Sequence, residues 1–313
     1  MKFAAEIVSA SVVSLALATA LAGHAQAAGG RTILFIGNSF TLGAGSAVSH
    51  YRSRTVTDLN HEGVGGVPAL FKVFTEEAGL LFDVAVETCG GVGIDYHLQN
   101  KRAEITSHRW DIVVAQSYST LDKERPRDPS RLIAASEQLA SVVRARHRPV
   151  QVFLTSTWSR PDQVYPATGA WAGTPITMMA RDIRMAYDEA AAAARAKVIP
   201  VGDAFNRAIR VGFADPNPYD GIDAGKIDLW TTDNYHASTF GYYLEALMVF
   251  GRVTSRDPRS LGAGECSGAE LGLSRAQVSR LEQIAFDELE ATAHIIANPM
   301  TTARRAPHRC PAH

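Results

Sequence analysis

Three residues of this chain have the types and the spacing for nucleophilic chemistry: Ser39, Asp233 and His236. Because Asp233 precedes His236 by three residues, its carboxylate can accept the imidazole Nδ1–H and direct Nε2 toward a hydroxyl group. Ser39 supplies such a hydroxyl. A serine after a strand is by itself more often a helix cap than a nucleophile. Together with the distant Asp-x-x-His pair, however, Ser39 is predicted to be the nucleophile of a catalytic triad.

An alternation of apolar segments and helical stretches must position these residues. Short apolar runs rich in β-branched residues predict strands at 32–36, 82–88, 112–115, 150–155 and 198–201. Longer patterns predict helices at 129–146, 178–196 and 242–250. Strands that alternate with helices predict an α/β fold with a mostly parallel sheet. Such sheets bind ligands at the carboxyl ends of their strands, which is where Ser39 is expected.

Two long loops, at 159–177 and 213–232, interrupt the alternation and are rich in Pro, Gly and aromatic residues. Long irregular loops inside a domain are usually functional lids or disordered connections. Their aromatic rings suit an apolar group or the face of a sugar; alternatively, Trp171 and Trp230 only pin the loops to the body. Trp158, just past the fourth predicted strand, has the same two interpretations, as a pocket wall or as part of the core.

The segment 37–41 (Gly-Asn-Ser-Phe-Thr), together with Asp233-x-x-His236, resembles the SGNH hydrolases, the superfamily of GDSL-type esterases and lipases. In that superfamily the first block carries the nucleophile near the N-terminus, and the last block is an Asp-x-x-His near the C-terminus. The resemblance covers about residues 31–250. It implies a three-layer α/β/α sandwich with a flavodoxin-like, mostly parallel sheet, and catalytic roles for Ser39, Asp233 and His236.

The resemblance also implies an oxyanion hole formed by Ser39, Gly91 and Gln116. Gly91 matches the glycine of the second block within the segment 89–93, although the neighbouring Gly90 is an alternative. The third block usually carries Asn; here Gln116 follows the predicted strand and is the candidate donor, as in some carbohydrate acetylesterases of the superfamily. Asn38 stands where the superfamily usually has Asp, which is a second departure from its pattern.

The activity implied by the resemblance is that of a serine ester hydrolase, acting through an acyl-enzyme on short-chain carboxylic esters or O-acetyl groups of carbohydrates. Trp158 and Tyr235 are the candidates for its substrate pocket. A lipase or polyester hydrolase is one alternative; a non-hydrolytic acyl-transfer or glycan-binding module of the cell envelope is another. Because the three triad residues are all present, catalysis is favoured over binding. No cofactor is implied, and no His, Cys, Asp or Glu group has metal-site spacing.

Residues 1–27 are predicted to be a secretory signal peptide. They combine Lys2, an apolar run at 7–21 without charged residues, and a small-x-small cleavage site at 25–27. The run is shorter than the roughly 20 apolar residues that cross a bilayer, so cleavage is favoured over a membrane anchor. The sequence therefore predicts a secreted or periplasmic protein with a hydrolase domain at 28–300, a loosely ordered tail at 301–313, and no stable membrane insertion after cleavage.

The charge balance and the cysteines limit the remaining interpretations. The chain has 31 Lys and Arg against 32 Asp and Glu, which excludes a broadly basic surface for binding nucleic acid. Three cysteines cannot form a disulfide scaffold, and in an oxidising compartment the simplest pairing is Cys266–Cys310 with Cys89 free. His97, an isolated histidine near the second block, is expected at the surface.

Overall fold

Six parallel strands form the centre of the structure, a computed structural model that describes residues 30–293. The strands are β1 (Arg31–Gly37), β2 (Thr57–Asp58), β3 (Phe82–Thr88), β4 (Ile112–Ala115), β5 (Gln151–Ser156) and β6 (Lys197–Pro200). Their spatial order is β2-β3-β1-β4-β5-β6, so the first long strand lies in the middle of the sheet. The predicted α/β fold with a parallel sheet is confirmed.

Helices cover the sheet in two groups. The helices are α1 (Gly66–Glu77), α2 (Ile94–Asn100), α3 (Arg102–Ile105), α4 (Ser130–Arg146), α5 (Pro161–Val164), α6 (Ile176–Ala194), α7 (Val201–Arg210), α8 (Thr239–Thr254), α9 (Cys266–Glu270) and α10 (Arg275–Ala293). Two short 3-10 turns lie at Ser53–Thr55 and Pro258–Ser260. Helix α4 contacts α2 and α6, whereas α8 contacts α1, α7 and α10. These two helical layers, with the sheet between them, form the predicted α/β/α sandwich.

The core explains why β1 and α8 have such apolar sequences. Residues 33–36 of β1 are almost completely buried, as expected for a parallel strand covered on both faces. Helix α8 is buried on all sides along residues 241–251, because other helices pack around it. This buried helix begins directly after the Asp-x-x-His segment, so it fixes the place where that segment meets the sheet.

The strand order brings the predicted site residues to one edge of the sheet. Strand β1 pairs with β3 on one side and with β4 on the other. Its last residue, Gly37, is level with Thr88, and Ile36 is level with Ala115. The segments after these three strands therefore lie side by side at a topological switch point, the usual ligand site of open α/β sheets.

Several predictions concern the chain ends. Residues 1–27 and 301–313, which include Cys310, lie outside the described residues. Among residues 30–293, Cys89 is a free thiol, and Cys266 is buried and disulfide-bonded. The pairing of Cys266 with Cys310 stays a prediction. Across residues 30–293, no helix has the length and apolar character needed to span a membrane.

Candidate active site

The loop after β1 holds Ser39 at the carboxyl edge of the sheet. The Ser39 carbonyl accepts hydrogen bonds from the backbone N–H of Ala44 (2.9 Å) and from the hydroxyl of Tyr242 in α8 (3.4 Å). Only glycine fits at position 37, because a Cβ there would lie 2.0 Å from Thr41 Oγ1. The loop is therefore anchored at its start and tied to α8, while Ser39 itself is partly exposed.

Asp233 and His236 form the hydrogen-bonded pair expected from their spacing. Asp233 Oδ2 lies 2.6 Å from His236 Nδ1. The other carboxylate oxygen, Oδ1, accepts hydrogen bonds from Thr231 Oγ1 (2.6 Å) and from the backbone N–H groups of Tyr235 and His236 (both 2.9 Å). Asn234, between them, has the left-handed φ of 56° that this tight turn requires. The carboxylate is thus held by the backbone of its own loop.

Electrostatics keep Asp233 ionised. Partial burial acts to raise the pKa of Asp233, but the hydrogen bonds from Thr231, His236 and the backbone outweigh it and hold that pKa well below its usual range. An ionised carboxylate at Nδ1 favours the tautomer whose proton is on Nδ1. The opposite atom, His236 Nε2, is buried and has no hydrogen-bond partner among residues 30–293. It is therefore available as a proton acceptor.

The serine loop and the histidine loop contact each other. Phe40, next to Ser39, packs edge-on against the His236 ring with 5.8 Å between centroids. Tyr242, which holds the Ser39 carbonyl, lies in α8, and Ser238, two residues after His236, caps that helix. These contacts place the loop that carries Ser39 beside His236. The catalytic triad of Ser39, Asp233 and His236 stays a prediction.

Two backbone donors at this edge are free. The N–H groups of Ser39 and Gly91 make no hydrogen bond within residues 30–293. Gly91 is exposed, has a left-handed φ of 72°, and follows β3 in a turn that is tied to the serine loop by a hydrogen bond from Asn38 Nδ2 to the Val92 carbonyl (2.8 Å). Free N–H groups of this kind are what an oxyanion needs. The oxyanion role of Gly91 stays a prediction.

Gln116 is buried below the serine loop and braces it. Its Oε1 accepts hydrogen bonds from the Asn38 N–H (3.2 Å) and the Thr41 hydroxyl (3.3 Å), and its Nε2 donates to the Ser117 carbonyl. One Nε2 hydrogen is therefore already engaged, and an oxyanion would have to use the other. The role of Gln116 as a donor stays a prediction, next to a structural role that the contacts define.

The two pocket candidates occupy different environments. Trp158 is fully buried and stacks between Phe40 (4.1 Å) and Phe205 (5.0 Å). It therefore supports the site from within the core, and contact with a substrate would require this stack to open. Tyr235 is partly exposed, and its ring lies 4.1 Å from that of His236. Of the two, Tyr235 is the one that a substrate can reach in this structure.

Arg160 was not predicted from the sequence, although it follows β5 at the same edge of the sheet. Its guanidinium lies 3.7 Å from the centre of the Tyr235 ring and makes two hydrogen bonds to the Asp162 carboxylate, 2.9 and 2.6 Å long. The same segment holds the histidine loop by its backbone: the Asp162 N–H donates to the Asn234 carbonyl, and Trp158 Nε1 donates to the Tyr235 carbonyl (both 3.2 Å). The only feature of the sequence that could have pointed to Arg160 is its position shortly after a predicted strand.

The expectation that His97 lies at the surface is wrong. His97 is fully buried in α2, where its Nδ1 contacts the equally buried carboxylate of Glu87 on β3. Asn60 donates a hydrogen bond to the same carboxylate (3.1 Å). The physical reason is that the short helix after Gly93 turns this histidine inward. Among residues 30–293, no group of three or more His, Cys, Asp and Glu side chains is arranged to hold a metal ion.

Solved structures share this fold, although no protein-family model and no curated protein matches the sequence. A DUF4886 family protein from Bacteroides uniformis is 17% identical and covers 87% of this chain and 98% of its own, with a TM-score of 0.56. A protein named as a GDSL-like lipase, from Parabacteroides merdae, is 15% identical and covers 72% and 96%, with a TM-score of 0.53. A protein named as an SGNH hydrolase, from Slackia heliotrinireducens, is 22% identical and covers 72% and 99%, with a TM-score of 0.49. The chain shares the fold of the GDSL-like lipase, which is the fold that the sequence motifs predicted.

Proposed function

We propose that this protein is a carboxylic ester hydrolase with Ser39 as nucleophile, His236 as general base and Asp233 as the residue that orients the imidazole. One observation carries the proposal: Asp233 holds His236 so that a buried, unpartnered Nε2 lies beside the serine loop. A base in this state can take a proton from a hydroxyl without first losing another hydrogen bond.

The reaction follows from these positions. Ser39 Oγ attacks the ester carbonyl carbon while its proton passes to His236 Nε2. The N–H groups of Ser39 and Gly91, with the second Nε2 hydrogen of Gln116, stabilise the oxyanion. The C–O bond to the alcohol then breaks, and His236 returns the proton to the leaving oxygen. Water attacks the acyl-enzyme with His236 as base, which releases the carboxylic acid and restores Ser39.

Short acyl groups are the preferred substrates in this proposal. The Phe40–Trp158–Phe205 stack fills the interior directly below the serine loop, where a long acyl chain would otherwise be buried. His236 and Asp233 retain 16% and 46% exposure of their side chains, so the site is open on its outer side. An open site with a filled interior suits a small acyl group on a large alcohol better than a lipid chain.

Two further parts of the proposal concern the acyl acceptor and the location of the protein. The acceptor is water in a hydrolase and an alcohol in an acyltransferase, and the open outer side favours water.

We also propose that the protein is exported and that residues 1–27 are removed. The disulfide-bonded Cys266 supports export, since disulfides persist in oxidising compartments. N-terminal sequencing of the exported protein should begin at Ala28; a start at Met1 would contradict this part.

The experiment is hydrolysis of p-nitrophenyl esters from acetate to palmitate by the purified protein. Activity should be highest on the shortest esters and should fall by at least about 10⁴-fold in Ser39→Ala. Ser107→Ala, at an exposed serine two residues after α3, is the matched control and should keep full activity. Equal activity in Ser39→Ala would exclude the mechanism, and a preference for palmitate would favour the lipase alternative.

A further inference from the structure

Exposed aromatic side chains are concentrated next to the candidate active site. Among residues 30–293, six large hydrophobic residues are exposed, and three of them lie on the two long loops: Tyr165 (38%), Tyr219 (49%) and Ile222 (40%). The Tyr165 and Tyr219 rings lie 5.9 Å apart at 62°. We call Tyr165 and Tyr219 the aromatic platform. Exposed apolar groups that cluster in this way usually mark a binding surface.

Hydrogen bonds within and between the two loops hold the platform. The Tyr165 hydroxyl donates a hydrogen bond to the Pro216 carbonyl (2.8 Å), which joins the two loops. The buried Asp215 carboxylate closes the second loop, because it accepts hydrogen bonds from the N–H groups of Asn217 and Asp223 (both 3.0 Å). A surface that is already ordered loses little conformational entropy when a ligand binds.

The two tryptophans considered from the sequence anchor these loops. Trp171 and Trp230 are buried, and their indole N–H groups donate to Asp182 Oδ2 (2.8 Å) and to the Ser159 carbonyl (2.9 Å). They pin the loops to the body, so neither presents a ring face to a ligand. The exposed tyrosines are therefore the aromatic surface available to a substrate.

The platform is connected to the histidine loop by a hydrogen bond and by the chain itself. Tyr165 directly follows the short helix α5, whose Asp162 N–H donates to the Asn234 carbonyl of the histidine loop. The loop that carries Tyr219 and Ile222 continues directly into the segment 231–236, which contains Asp233 and His236. A ligand on the platform would therefore extend toward the candidate active site.

Polar groups border the platform, and their charge is negative. Asn217 and Asp220 form a side-chain pair (2.7 Å) beside Tyr219, and the charge of Asp220 adds to burial in raising the pKa of the Tyr165 hydroxyl. Lys226 lies nearby, but its ammonium is paired with Asp223 (2.6 Å). Apolar rings with a polar, acidic border suit a neutral ligand that has both C–H faces and hydroxyl groups. They do not suit an anionic membrane surface.

We propose that the aromatic platform binds the pyranose rings of a neutral polysaccharide and so presents an ester on that chain to Ser39. A pyranose has an apolar face of C–H groups that packs on a tyrosine ring, and a rim of hydroxyls that Asn217 and Asp220 can bind. The inference rests on the proposed ester hydrolase and specifies its substrate class as an esterified carbohydrate. The competing occupant is a lipid surface.

The test measures binding without turnover, so that it is independent of catalysis. The full chain carrying Ser39→Ala is titrated calorimetrically with soluble xylan, glucomannan and hydroxyethyl cellulose, and separately with vesicles of phosphatidylcholine. At least one polysaccharide should bind, and adding Tyr219→Ala should weaken that binding about tenfold. Adding Tyr219→Phe should leave the binding within about twofold, because the ring is retained. Leu81→Ala, which removes an exposed apolar residue just before β3, should change nothing.

The outcomes separate the two proposals. No binding to any of the polysaccharides, equal binding in Tyr219→Ala, or Tyr219-dependent binding to the vesicles would each overturn the carbohydrate platform. If instead the wild-type chain hydrolyses no ester but Tyr219-dependent polysaccharide binding is present, the platform stands and the proposed hydrolase fails. Circular dichroism of each variant checks that a loss of binding is not a loss of fold.

Discussion

Replacing Arg160 tests whether the segment after β5 positions the catalytic histidine. The Arg160 guanidinium lies over the Tyr235 ring, pairs with Asp162 at two points and donates to Ser119 Oγ (3.1 Å). Arg160→Ala removes all three interactions. The backbone bond from the Asp162 N–H to the histidine loop does not depend on the Arg160 side chain. The expected effect is therefore a looser loop rather than an unfolded protein.

The magnitude follows from these contacts. A cation–π contact contributes about 0.5–2 kcal/mol, and a partly exposed ion pair about 0.2–1 kcal/mol. The cation–π contact and the ion pair together contribute about 2 kcal/mol. Losing both would lower the population of the ordered histidine loop by up to roughly 30-fold. Because a misplaced base slows the chemistry more than it weakens substrate binding, kcat should fall by about 10- to 30-fold with a smaller change in KM.

The assay is steady-state hydrolysis of p-nitrophenyl acetate, with two comparison variants. Arg160→Lys keeps the charge but loses the planar fork, so its kcat should lie between those of the wild type and Arg160→Ala. Arg127→Ala is the matched control, because Arg127 also lies over an aromatic ring, that of Trp171 (5.4 Å), and pairs with Asp182, far along the chain from the histidine loop. Equal losses in Arg127→Ala and Arg160→Ala, or no loss in Arg160→Ala, would refute the positioning role.

Three further predictions concern single side chains. Asp233→Asn should keep the fold but lower kcat by about 10⁴-fold, because an amide no longer selects the Nδ1–H tautomer of His236. Activity within tenfold of the wild type would contradict the catalytic role of the Asp233–His236 pair. Asp83→Asn, on the exposed side of β3, is the control. Gln116→Leu should lower the free energy of unfolding by about 1–3 kcal/mol, since it leaves the buried Asn38 N–H and Thr41 hydroxyl without an acceptor. Urea unfolding, measured beside kcat, separates this structural role from an oxyanion role. Unchanged stability would exclude the structural role. Burial, with the charge of Glu265, raises the pKa of Glu282 to about 8 from the ordinary 4.5, so this group's contribution to stability is present below pH 4.5 and is lost as pH rises toward 8. Glu282→Gln should therefore have the higher Tm at pH 9 and a flatter Tm profile between pH 5 and 9; a parallel profile would contradict the shift.

Much of the fold could be predicted from the sequence because its signals are local. The predicted strands 82–88 and 112–115 match β3 and β4. The predicted helix 129–146 differs from α4 by one residue at its start, and 178–196 differs from α6 by two residues at each end. The strands are short, largely buried segments, and the helices are long segments that bury one face. Strand β2 was missed because it has only two residues and lies at the edge of the sheet, where no alternating pattern can develop.

The site was predictable where chemistry and spacing coincide. Asp233 and His236 lie three residues apart, so their pairing needs only a tight turn, and the 2.6 Å contact follows. The contacts of Arg160 and Trp158 could not be predicted, because they join segments about 75 residues apart in the chain. His97 shows the same limit: its burial depends on Glu87, which lies on a different element.

Covalent labelling of the nucleophile tests the proposed mechanism most directly. The intact protein is treated with a fluorophosphonate, which reacts with an activated serine, and the labelled peptide is identified by mass spectrometry. We expect one label, on Ser39, that is lost in His236→Ala and retained in Ser107→Ala. A label on another residue, or none on Ser39, would contradict the claim that Ser39, His236 and Asp233 act as one catalytic unit.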